Sequence, residues 1–582
     1  MRAFLLAVAA ADGSGERPLL ESRDVDYDAA WSPDGASIVF TSERDGSADL
    51  YRVGADGSRI ERLTDSPAYD DQAAFSPDGK QLVFVTTRNG GTADLWTMDL
   101  QTRRARALTS GPGGDFRPSW SPDGKWIAFS SDRQSNLPFA HGRWEHLQLA
   151  DIYVIHPDGS GLKAITAHGN FCGSPKWTAD SRRVVAYCMT AEQTLDNRRA
   201  APERPEDTRI VSIDVATGAA TNLASGPGVK FNPSLLADGE LAYIRKDGGA
   251  EGAGIYYASR GRGPKGDVRT ASWSPDGQRV VFHKRQPIVP PAWKKTWSRN
   301  ADYELTLTGQ MPSFSPSGDR FVVTTRPVQG TVFGAGVGIA ATGGDKVNVI
   351  YQDTGRNVLG AQWSPGGDTI IFGLGGFNAF FNGFKGLFLK PGDRVEGGAQ
   401  IATIAPDGTG FREVTSGPAN NSFPSMAPDG KRFVYRTFGP DGEGLRIMNL
   451  DTRAVTTLTN GYDNFPLWSP RGDLIMFSRQ ANGDYEIYTI TPEGGEPKRL
   501  TFSRGNDAHM AWSPDGERIV FASTRMGFKD EMTYTDAPQP YGELFVMRYD
   551  GANVEQLTDN QWEDGTPAWV PARKLTSRVV PR

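Results

Sequence analysis

One pattern of apolar and polar positions recurs along the chain: an apolar anchor, a tight turn, and a run that alternates between apolar and polar residues. Its clearest copy reads WSPDGERIVFAS at residues 512–523. The proline presets φ and the glycine accepts a positive φ, which favours a tight turn, and the alternation is typical of a half-buried strand. Each copy therefore predicts a β-hairpin, whose arms we call strands A and B.

This hairpin pattern recurs throughout the sequence with a basic period in the low forties, lengthened by insertions. The twelve anchors are Trp31, Phe75, Trp120, Trp177, Leu235, Trp273, Phe314, Trp363, Met426, Trp468, Trp512 and Trp569. A second hairpin follows each anchor, clearest in DIYVIHPDGSGLKAIT at residues 151–166, and supplies strands C and D. Four short strands per repeat suit a propeller blade rather than a solenoid coil. The predicted fold class is all-β.

The number of repeats decides the domain organisation. Twelve blades exceed the usual range of about four to eight in one ring, so we predict two tandem β-propellers of six blades each. Residues 1–285 would form the first, 286–300 a proline-rich linker and 301–582 the second. The chain starts with a C–D hairpin at 4–20, which would complete the blade of the A–B hairpin at Trp273 and leave no exposed sheet edge. A seven-plus-five division stays open, because some copies are degenerate.

The N-terminus and the cysteines bear on the compartment. The apolar start at residues 1–10 resembles a short signal peptide, but residues 4–20 match the C–D hairpin pattern, and we favour the hairpin. Cys172 and Cys188 flank an A–B turn at positions that the hairpin register places nearly opposite each other. They would form either a disulfide or two buried thiols. A disulfide would indicate an oxidising compartment, periplasmic or secreted.

Composition excludes several classes of partner. A net charge of −6 and a pI near 5.7 give no electrostatic footprint for nucleic acid, and no apolar run is long enough for a membrane helix. The sequence also lacks a Gly-x-Ser-x-Gly nucleophile elbow and a phosphate-binding Gly-x-x-x-x-Gly-Lys loop. We expect a monomer that inserts into no membrane and binds no nucleic acid.

Candidate site residues cluster where one blade leads into the next. Long insertions fall in the B-to-C loops, and the D-to-A loops emerge on the same face with polar residues near the central axis. The candidates there for ligand binding are Arg117, Asn421, Asp463, Asn464 and Asp564, with Asp507 and His509 as candidate catalytic groups. Such side chains could bind a divalent cation or sugar hydroxyls, but Asp and Asn also commonly cap turns. No metal ligands are assigned and no other cofactor is expected.

Two loops add further candidates. The first carries His141, Arg143, Trp144 and His146. Two histidines at this spacing are a weak metal signal, because they match no zinc motif. The second is a Gly- and Phe-rich stretch at residues 377–384 that contains Phe381, whose rings would stack on a sugar or pack against protein.

The repeated Trp-Ser-Pro-Asp-Gly turn, together with a Leu-Thr pair that ends strand D in many copies, resembles the TolB-like propeller repeats. These repeats also occur in the N-terminal propellers of prolyl oligopeptidase and dipeptidyl peptidase relatives. The α/β domain of TolB and the hydrolase domain of the peptidases have no counterpart in this sequence. The oligogalacturonate lyases are similar as well, and their activity would imply histidines and a divalent metal. Here only His168 and His509 stand at comparable positions.

From these observations we expect a non-catalytic, extracytoplasmic propeller protein that binds a protein or glycan on its loop-rich face. The alternative is a carbohydrate-active enzyme, a lyase or glycosidase, with Asp507 and His509 as acid/base groups or near a metal. In that case Arg117 or Arg143 would neutralise a uronate.

Overall fold

The computed structural model describes most of the 582 residues. Its described part leaves out residues 1, 21–25, 46–47, 90–91, 112, 135–148, 192, 195–207, 227, 247–251, 288–295, 298–302, 305–309, 326–333, 343–345, 377–397, 440–441, 482–483, 504, 526–529, 532–541, 560–563 and 572–582. The chain divides into two compact units. The first comprises Met1–Ile288, Met526–Tyr541 and Asp559–Glu563, and the second comprises Val289–Arg525, Gly542–Thr558 and Asp564–Arg582.

Short strands make up the first unit. In chain order they are β1 (Arg2–Ala10), β2 (Arg17–Pro18), β3 (Asp26–Trp31), β4 (Ser37–Ser42), β5 (Asp49–Gly54), β6 (Glu61–Arg62), β7 (Asp70–Phe75), β8 (Gln81–Thr86), β9 (Asp94–Asp99), β10 (Ala105–Ala107), β11 (Asp115–Trp120), β12 (Ile127–Ser131), β13 (Asp151–Ile155), β14 (Lys163–Ala164), β15 (Asn170–Trp177), β16 (Arg183–Thr190), β17 (Arg209–Asp214), β18 (Ala220–Ala224), β19 (Lys230–Leu235), β20 (Leu241–Arg245), β21 (Gly254–Tyr257), β22 (Gly261–Lys265), β23 (Val268–Trp273) and β24 (Arg279–Pro287).

The second unit continues in the same manner. Its strands are β25 (Thr296–Trp297), β26 (Tyr303–Glu304), β27 (Gln310–Phe314), β28 (Arg320–Thr324), β29 (Val337–Ala341), β30 (Val347–Tyr351), β31 (Asn357–Trp363), β32 (Ile370–Gly375), β33 (Gln400–Ile404), β34 (Arg412–Glu413), β35 (Asn420–Met426), β36 (Arg432–Gly439), β37 (Gly442–Asn449), β38 (Val455–Thr457), β39 (Asp463–Trp468), β40 (Ile475–Ala481), β41 (Asp484–Ile490), β42 (Lys498–Arg499), β43 (Asp507–Trp512), β44 (Arg518–Ser523), β45 (Glu543–Arg548) and β46 (Glu555–Gln556).

Within the described ranges these strands form eleven four-stranded antiparallel sheets and one two-stranded pair, β25–β26. Ten of the sheets take four consecutive strands in chain order. The eleventh has the order β2-β1-β24-β23, so the first hairpin of the chain pairs with the hairpin that ends at Pro287. The structure is therefore all-β, and each sheet has the four strands expected of a repeat. No helix in the described ranges is long and apolar enough to cross a membrane.

The expected twelfth repeat differs from the others. Around Trp569, residues 564–571 are described and contain no strand, and the residues that would form strand B, 572–582, lie outside the described part of the chain. The segment predicted as a linker also carries some strand structure, because β24 runs to Pro287 and β25 lies at Thr296–Trp297.

The Ser-Pro-Asp-Gly turn folds as its residues dictate. In the first copy Ser32 Oγ donates to Asp34 and accepts from the backbone N–H of Ser37 at 2.9 Å, while the Gly35 N–H donates to the Ser32 carbonyl. Gly35 has a φ of 68°, which costs glycine little. The serine and aspartate therefore close the turn, and the anchor before it is left to pack between sheets.

The core lies between the faces of successive sheets. Val39 and Leu50 of one sheet, for example, pack against Leu82, Phe84 and Met98 of the next, and all five are buried. Alternation places these side chains on one face of each strand, as the sequence pattern requires.

Every A strand that pairs with a B strand contains a β-bulge near its middle. The residue three positions before the anchor has a positive φ in eleven of the twelve copies, namely Asp28, Gln72, Arg117, Ser174, Asn232, Met311, Gly360, Phe423, Phe465, His509 and Thr566. A bulge re-aims a side chain, and this one defines a recurring position that we call the bulge position.

A buried ion pair also recurs. Aspartate at the start of strand A binds an arginine just after strand B in four repeats and near the end of strand B in a fifth, and that arginine lies over the aromatic rings of strands B and C. The pairs are Asp26–Arg44, Asp70–Arg88, Asp115–Arg133, Asp463–Arg479 and Asp507–Arg525. In the first of them, Arg44 lies 5.6 Å from the centre of the Phe40 ring and 5.0 Å from that of Tyr51. We call this arrangement the Asp–Arg clamp.

Candidate functional site

The second unit contains a cavity of about 480 Å³ at the centre of its A strands. Side chains from the bulge position line it, and so do the prolines that stand two positions after the anchors. The bulge residues are Met311, Gly360, Phe423, Phe465, His509 and Thr566, and the prolines are Pro316, Pro365, Pro428, Pro470, Pro514 and Pro571. All six anchors of this unit, including Trp569, thus contribute to one mostly apolar cavity.

Aromatic contacts organise one side of this cavity. The Phe423 and Phe465 rings lie 4.6 Å apart, and His509 meets Phe465 edge-on at 4.9 Å. Within the described part of the chain the imidazole of His509 has no hydrogen-bond partner. Loss of hydration lowers the pKa of His509 to about 4, so the ring is neutral at pH 7. A neutral imidazole beside two phenylalanines suits an apolar side chain or the face of a sugar ring.

The first unit has a corresponding cavity of about 310 Å³, lined by A-strand residues of all six of its repeats. Here the bulge position and its equivalent in the sixth repeat are polar: Asp28, Gln72, Arg117, Ser174, Asn232 and Thr270. The same backbone position therefore gives an apolar cavity in one unit and a polar cavity in the other.

Arg117 is bound on two sides in the first unit. Its Nη1 donates to Asp28 at 3.0 Å, and its Nε and Nη2 donate to the carboxylate of Asp530, with Nε at 2.8 Å from Oδ1. Burial opposes the charge of Arg117, but Asp28 and Asp530 outweigh it and raise the pKa of Arg117. Burial raises the pKa of Asp530 to about 6 despite the arginine. The charge of Arg117 is thus neutralised by two carboxylates of the protein itself.

Two carboxyl groups next to Arg117 share one negative charge. Burial and the nearby charge of Asp28 raise the pKa of Asp71 well above its usual range, and Asp71 is within hydrogen-bonding reach of Asp28. Burial would raise the pKa of Asp28 as well, but Arg117 and His283 lower it. Asp71 is therefore the protonated partner and Asp28 the ionised one.

Glu531 occupies a cradle of donors in the first unit. Its carboxylate accepts from Ser130 Oγ, from the backbone N–H and Oγ of Ser174, and from Tyr187 at 3.0 Å. A Cβ on Gly173 would lie 2.6 Å from Glu531 Oε2, so only glycine leaves room for this carboxylate. Glu531 and Asp530 were not among the residues selected from the sequence.

The structure places the candidate catalytic pair in different surroundings. Asp507 is fully buried in an Asp–Arg clamp, where both oxygens accept from Arg525 at 3.0 and 2.9 Å and Oδ2 also accepts from Ser503. His509 instead lines the apolar cavity. The two side chains therefore do not share a hydrogen-bonded acid/base arrangement within the described residues.

The other candidates are also engaged in the fold. Asp463 is held by Arg479 in a clamp, Asn421 donates to Gln400 at 3.1 Å, and Asn464 accepts from buried Arg436 at 3.1 Å. Asp564 is buried, and its backbone N–H donates to Gly542. Of the candidates, Arg117 and His509 line the cavities.

Five candidates lie outside the described residues: His141, Arg143, Trp144, His146 and Phe381. Among the described residues no group of three or more His, Cys, Asp or Glu side chains could hold a metal ion. Cys172 and Cys188 are direct cross-strand partners of β15 and β16 and form a disulfide.

Sequence reasoning found Arg117 and His509 but missed most of the other residues that line the cavities, including Phe423, Phe465, Asn232 and Lys176. It selected the polar residues at the start of each A strand, whereas the cavity-facing side chain stands three positions before the anchor. A proline directly after that position in seven copies is the available signal, because proline within a sheet is found at edges and bulges.

Comparison with known proteins agrees with the repeat pattern. The TolB beta propeller domain matches residues 5–90, 70–201 and 394–536, and no curated protein matches the chain.

Putative TolB from Agrobacterium tumefaciens is 18% identical over 50% of this chain and 100% of that chain, with a TM-score of 0.30. TolB from Acinetobacter baumannii is 21% identical over 49% of this chain and 65% of that chain, less than two thirds of its length, with a TM-score of 0.34. The tricorn protease is 14% identical over 90% of this chain and 49% of that chain, with a TM-score of 0.37. Since the domain matches cover more than half of the sequence, the chain belongs to the TolB beta propeller domain family.

Proposed function

We propose that the protein is a non-catalytic, extracytoplasmic binding protein made of two six-bladed propellers, and that a protein or glycan ligand binds at the cavity of the second unit. Support for six blades per unit comes from the cavities, each of which is lined by A-strand residues of six anchors. In the first unit the A strand β23 also contacts β3, and the Ala271 N–H donates to Asn232 of β19. These contacts support closure of the first unit into a ring of six blades.

The sixth blade of the second unit would use Trp569 as its anchor. In other repeats, the arginine at the start of strand B lies over the tryptophan anchor of the next repeat, as Arg432 does over Trp468 at 5.1 Å. Arg518 lies over Trp569 in the same manner at 4.9 Å. Position and contact therefore support the assignment of Trp569 as an anchor, although residues 564–571 contain no strand.

One observation carries the functional proposal: the bulge position of the second unit presents mainly apolar side chains to an open cavity, and none of its residues is a carboxylic acid. Asp507, the candidate acid, is bound to Arg525, which favours a structural role. Phe423, Phe465 and Met311 instead offer apolar area that a ligand could cover, with neutral His509 as one polar group for orientation.

The expected loop-rich face contributes less to the argument, because much of the long B-to-C insertions lies outside the described residues. The cavity lining runs from the bulge position to the Ser-Pro turns, so we propose that the ligand enters from the turn side. The Cys172–Cys188 disulfide supports a periplasmic or secreted location, since disulfides persist in oxidising compartments.

The test is a binding screen with a matched pair of variants. Purified protein is applied to a peptide array and a glycan array, and each hit is measured by calorimetry. Phe465→Gly should weaken binding of the true ligand at least tenfold, whereas Phe502→Ala, at a ring that is 73% exposed, should not change it. Glycine suits the positive φ of position 465 and already occupies the bulge position at 360.

Two results would contradict the proposal. One is a hit whose affinity is unchanged by Phe465→Gly, which would place the ligand elsewhere. The other is turnover: release of ultraviolet-absorbing unsaturated ends from a uronate polymer by the wild-type protein, and its loss in Asp507→Asn, would make the protein a lyase.

A further inference from the structure

The polar cavity of the first unit contains two hydrogen-bond donors for which no described residue serves as an acceptor. Lys176 of β15 lines the cavity, and its ammonium has no hydrogen-bond or ion-pair partner in the described part of the chain. Asn232 of β19 lines the same cavity and is only 6% exposed. Both groups are therefore available to donate to a molecule that enters the cavity.

The orientation of Asn232 is fixed by its neighbour. Its Oδ1 accepts from the backbone N–H of Ala271 at 3.2 Å, so the side-chain amide cannot be flipped without placing two donors together. The Nδ2 group is therefore the donor end of the side chain, and no described residue accepts a hydrogen bond from it. Asn232 has a φ of 48°, a conformation that asparagine tolerates better than most residues.

The charge balance of the cavity leaves Lys176 as the group that lacks a counterion contact. Three charged residues line the cavity: Asp28, Arg117 and Lys176. Arg117 and Asp28 bind each other, and the carboxylate of Glu531 is already engaged by four donors. Burial and the charge of Arg117 lower the pKa of Lys176 to about 8, against the opposing influence of Glu531 and Asp28. A carboxylate bound directly at the ammonium would favour its charged form.

We propose that the cavity of the first unit is a second binding site, for a small polar carboxylic acid whose carboxylate pairs with Lys176 and accepts a hydrogen bond from Asn232. A volume of about 310 Å³ equals that of about ten water molecules, which limits the ligand to about that number of heavy atoms. Gln72, Ser174 and Thr270 also line the cavity and suit hydroxyl groups on the same ligand. This site is separate from the cavity of the second unit and does not depend on it.

The test uses the full chain and four probes, and it measures affinity by saturation-transfer NMR titration at pH 7. Lactate is compared with lactamide, and threonate with threitol, so that each acid has a neutral partner and the two pairs separate a hydroxy acid from a sugar acid. At least one acid should bind, and its neutral partner should bind at least tenfold more weakly, since a charge-assisted hydrogen bond is lost.

Variants assign the binding to this cavity. Lys176→Met removes the charge but keeps the apolar stem, and it should weaken binding at least tenfold. Asn232→Asp preserves shape, the acceptor for Ala271 and tolerance of positive φ, but it sets a carboxylate beside Lys176 and should abolish binding. Lys125→Met is the matched control, because the side chain of Lys125 is 74% exposed, and its affinity should equal that of wild type.

Three outcomes would overturn the proposal. The first is that neither acid binds more tightly than about 10 mM, roughly −2.7 kcal/mol. The second is equal affinity for an acid and its neutral partner. The third is wild-type affinity in both Lys176→Met and Asn232→Asp. If one of these variants fails to fold, the other still decides the question.

Discussion

Asp507 distinguishes a structural from a catalytic interpretation of this propeller most directly. Replacement by asparagine keeps the size of the side chain and removes its charge. The wild-type carboxylate is fully buried and accepts twice from Arg525, whose guanidinium lies 4.5 Å from the centre of the Phe545 ring and is 20% exposed. In Asp507→Asn that guanidinium would keep its charge and lose its counterion.

The magnitude follows from the burial of the pair. Breaking a buried pair by removing one partner costs about 3–5 kcal/mol, and the partial exposure of Arg525 reduces this to about 2–4 kcal/mol, because water can reach the arginine. That range corresponds to amide exchange about 30-fold to 1,000-fold faster in the opening of β43 and β44. Hydrogen exchange with mass spectrometry on peptides that cover residues 507–523 measures it locally, which suits a chain of two units that need not unfold together.

The matched control is Asp550→Asn. Asp550 pairs with Arg548 at 2.9 Å, but the two side chains are 32% and 51% exposed, so water and salt screen the pair and it contributes little to stability. Its effect on exchange should be less than about sixfold. If Asp507→Asn left exchange in β43 and β44 unchanged but abolished a measurable activity, the assignment of Asp507 to the Asp–Arg clamp would be refuted.

Three further predictions concern pH, packing and redox state. The pKa of His509 in the folded protein, about 4, is below its ordinary value near 6.5, so the unfolded chain binds more protons between these two pH values. The stability of the fold should therefore decrease as the pH drops from 6.5 to 4. Thermal melts over this pH range should show a smaller decrease for His509→Asn than for the wild type. Gly173→Ala should lower the melting temperature of the first unit, since the new Cβ would lie 2.6 Å from Glu531 Oε2, at a cost of about 1–3 kcal/mol. Reduction of the Cys172–Cys188 bridge should lower the free energy of unfolding by about 3 kcal/mol, the value for a closed loop of this length, as measured by urea titration.

Each of these predictions has its own control. His509→Asn should leave the melting temperature at pH 8 close to that of wild type, and an unchanged acid dependence would show that the histidine titrates normally. Gly565→Ala introduces a methyl group where nothing lies within 4 Å and should be silent. Labelling of either cysteine by an alkylating reagent without reductant would contradict the disulfide.

Much of the fold could be predicted from the sequence because the repeat encodes its own turn. Ser32, Asp34 and Gly35 close the A–B turn with their own side chains and backbone, and equivalent residues do so along the chain. Twelve repeats were expected, and eleven four-stranded sheets are described. At Trp569 the described residues 564–571 contain no strand, and the residues that follow lie outside the described part of the chain.

The candidate site was less predictable for a physical reason. Polar residues at the start of strand A were selected from the sequence. In the structure, residues such as Asp463 and Asp507 instead bind an arginine and so hold strands A and B together. The spacing of 16 to 18 residues from aspartate to arginine is a signal that could have identified the clamp. Cavity lining depends instead on a bulge that re-aims one residue, and hydrophobic alternation carries no trace of that shift.

At the bulge position the backbone conformation is shared by nearly all repeats, whereas the side chain differs from one repeat to the next. A left-handed backbone conformation costs an ordinary residue about 1–2 kcal/mol, and it is accepted at this position by residues as different as Arg117, Phe465 and Thr566. The conformation is therefore imposed by the repeat and not by the side chain. The six side chains at the centre of each unit can therefore be exchanged without a change of the backbone. Evolution or a protein designer could replace charged side chains there by apolar ones on the same scaffold. Duplication of such a scaffold would allow one copy to keep its recognition chemistry while the other acquires a new one.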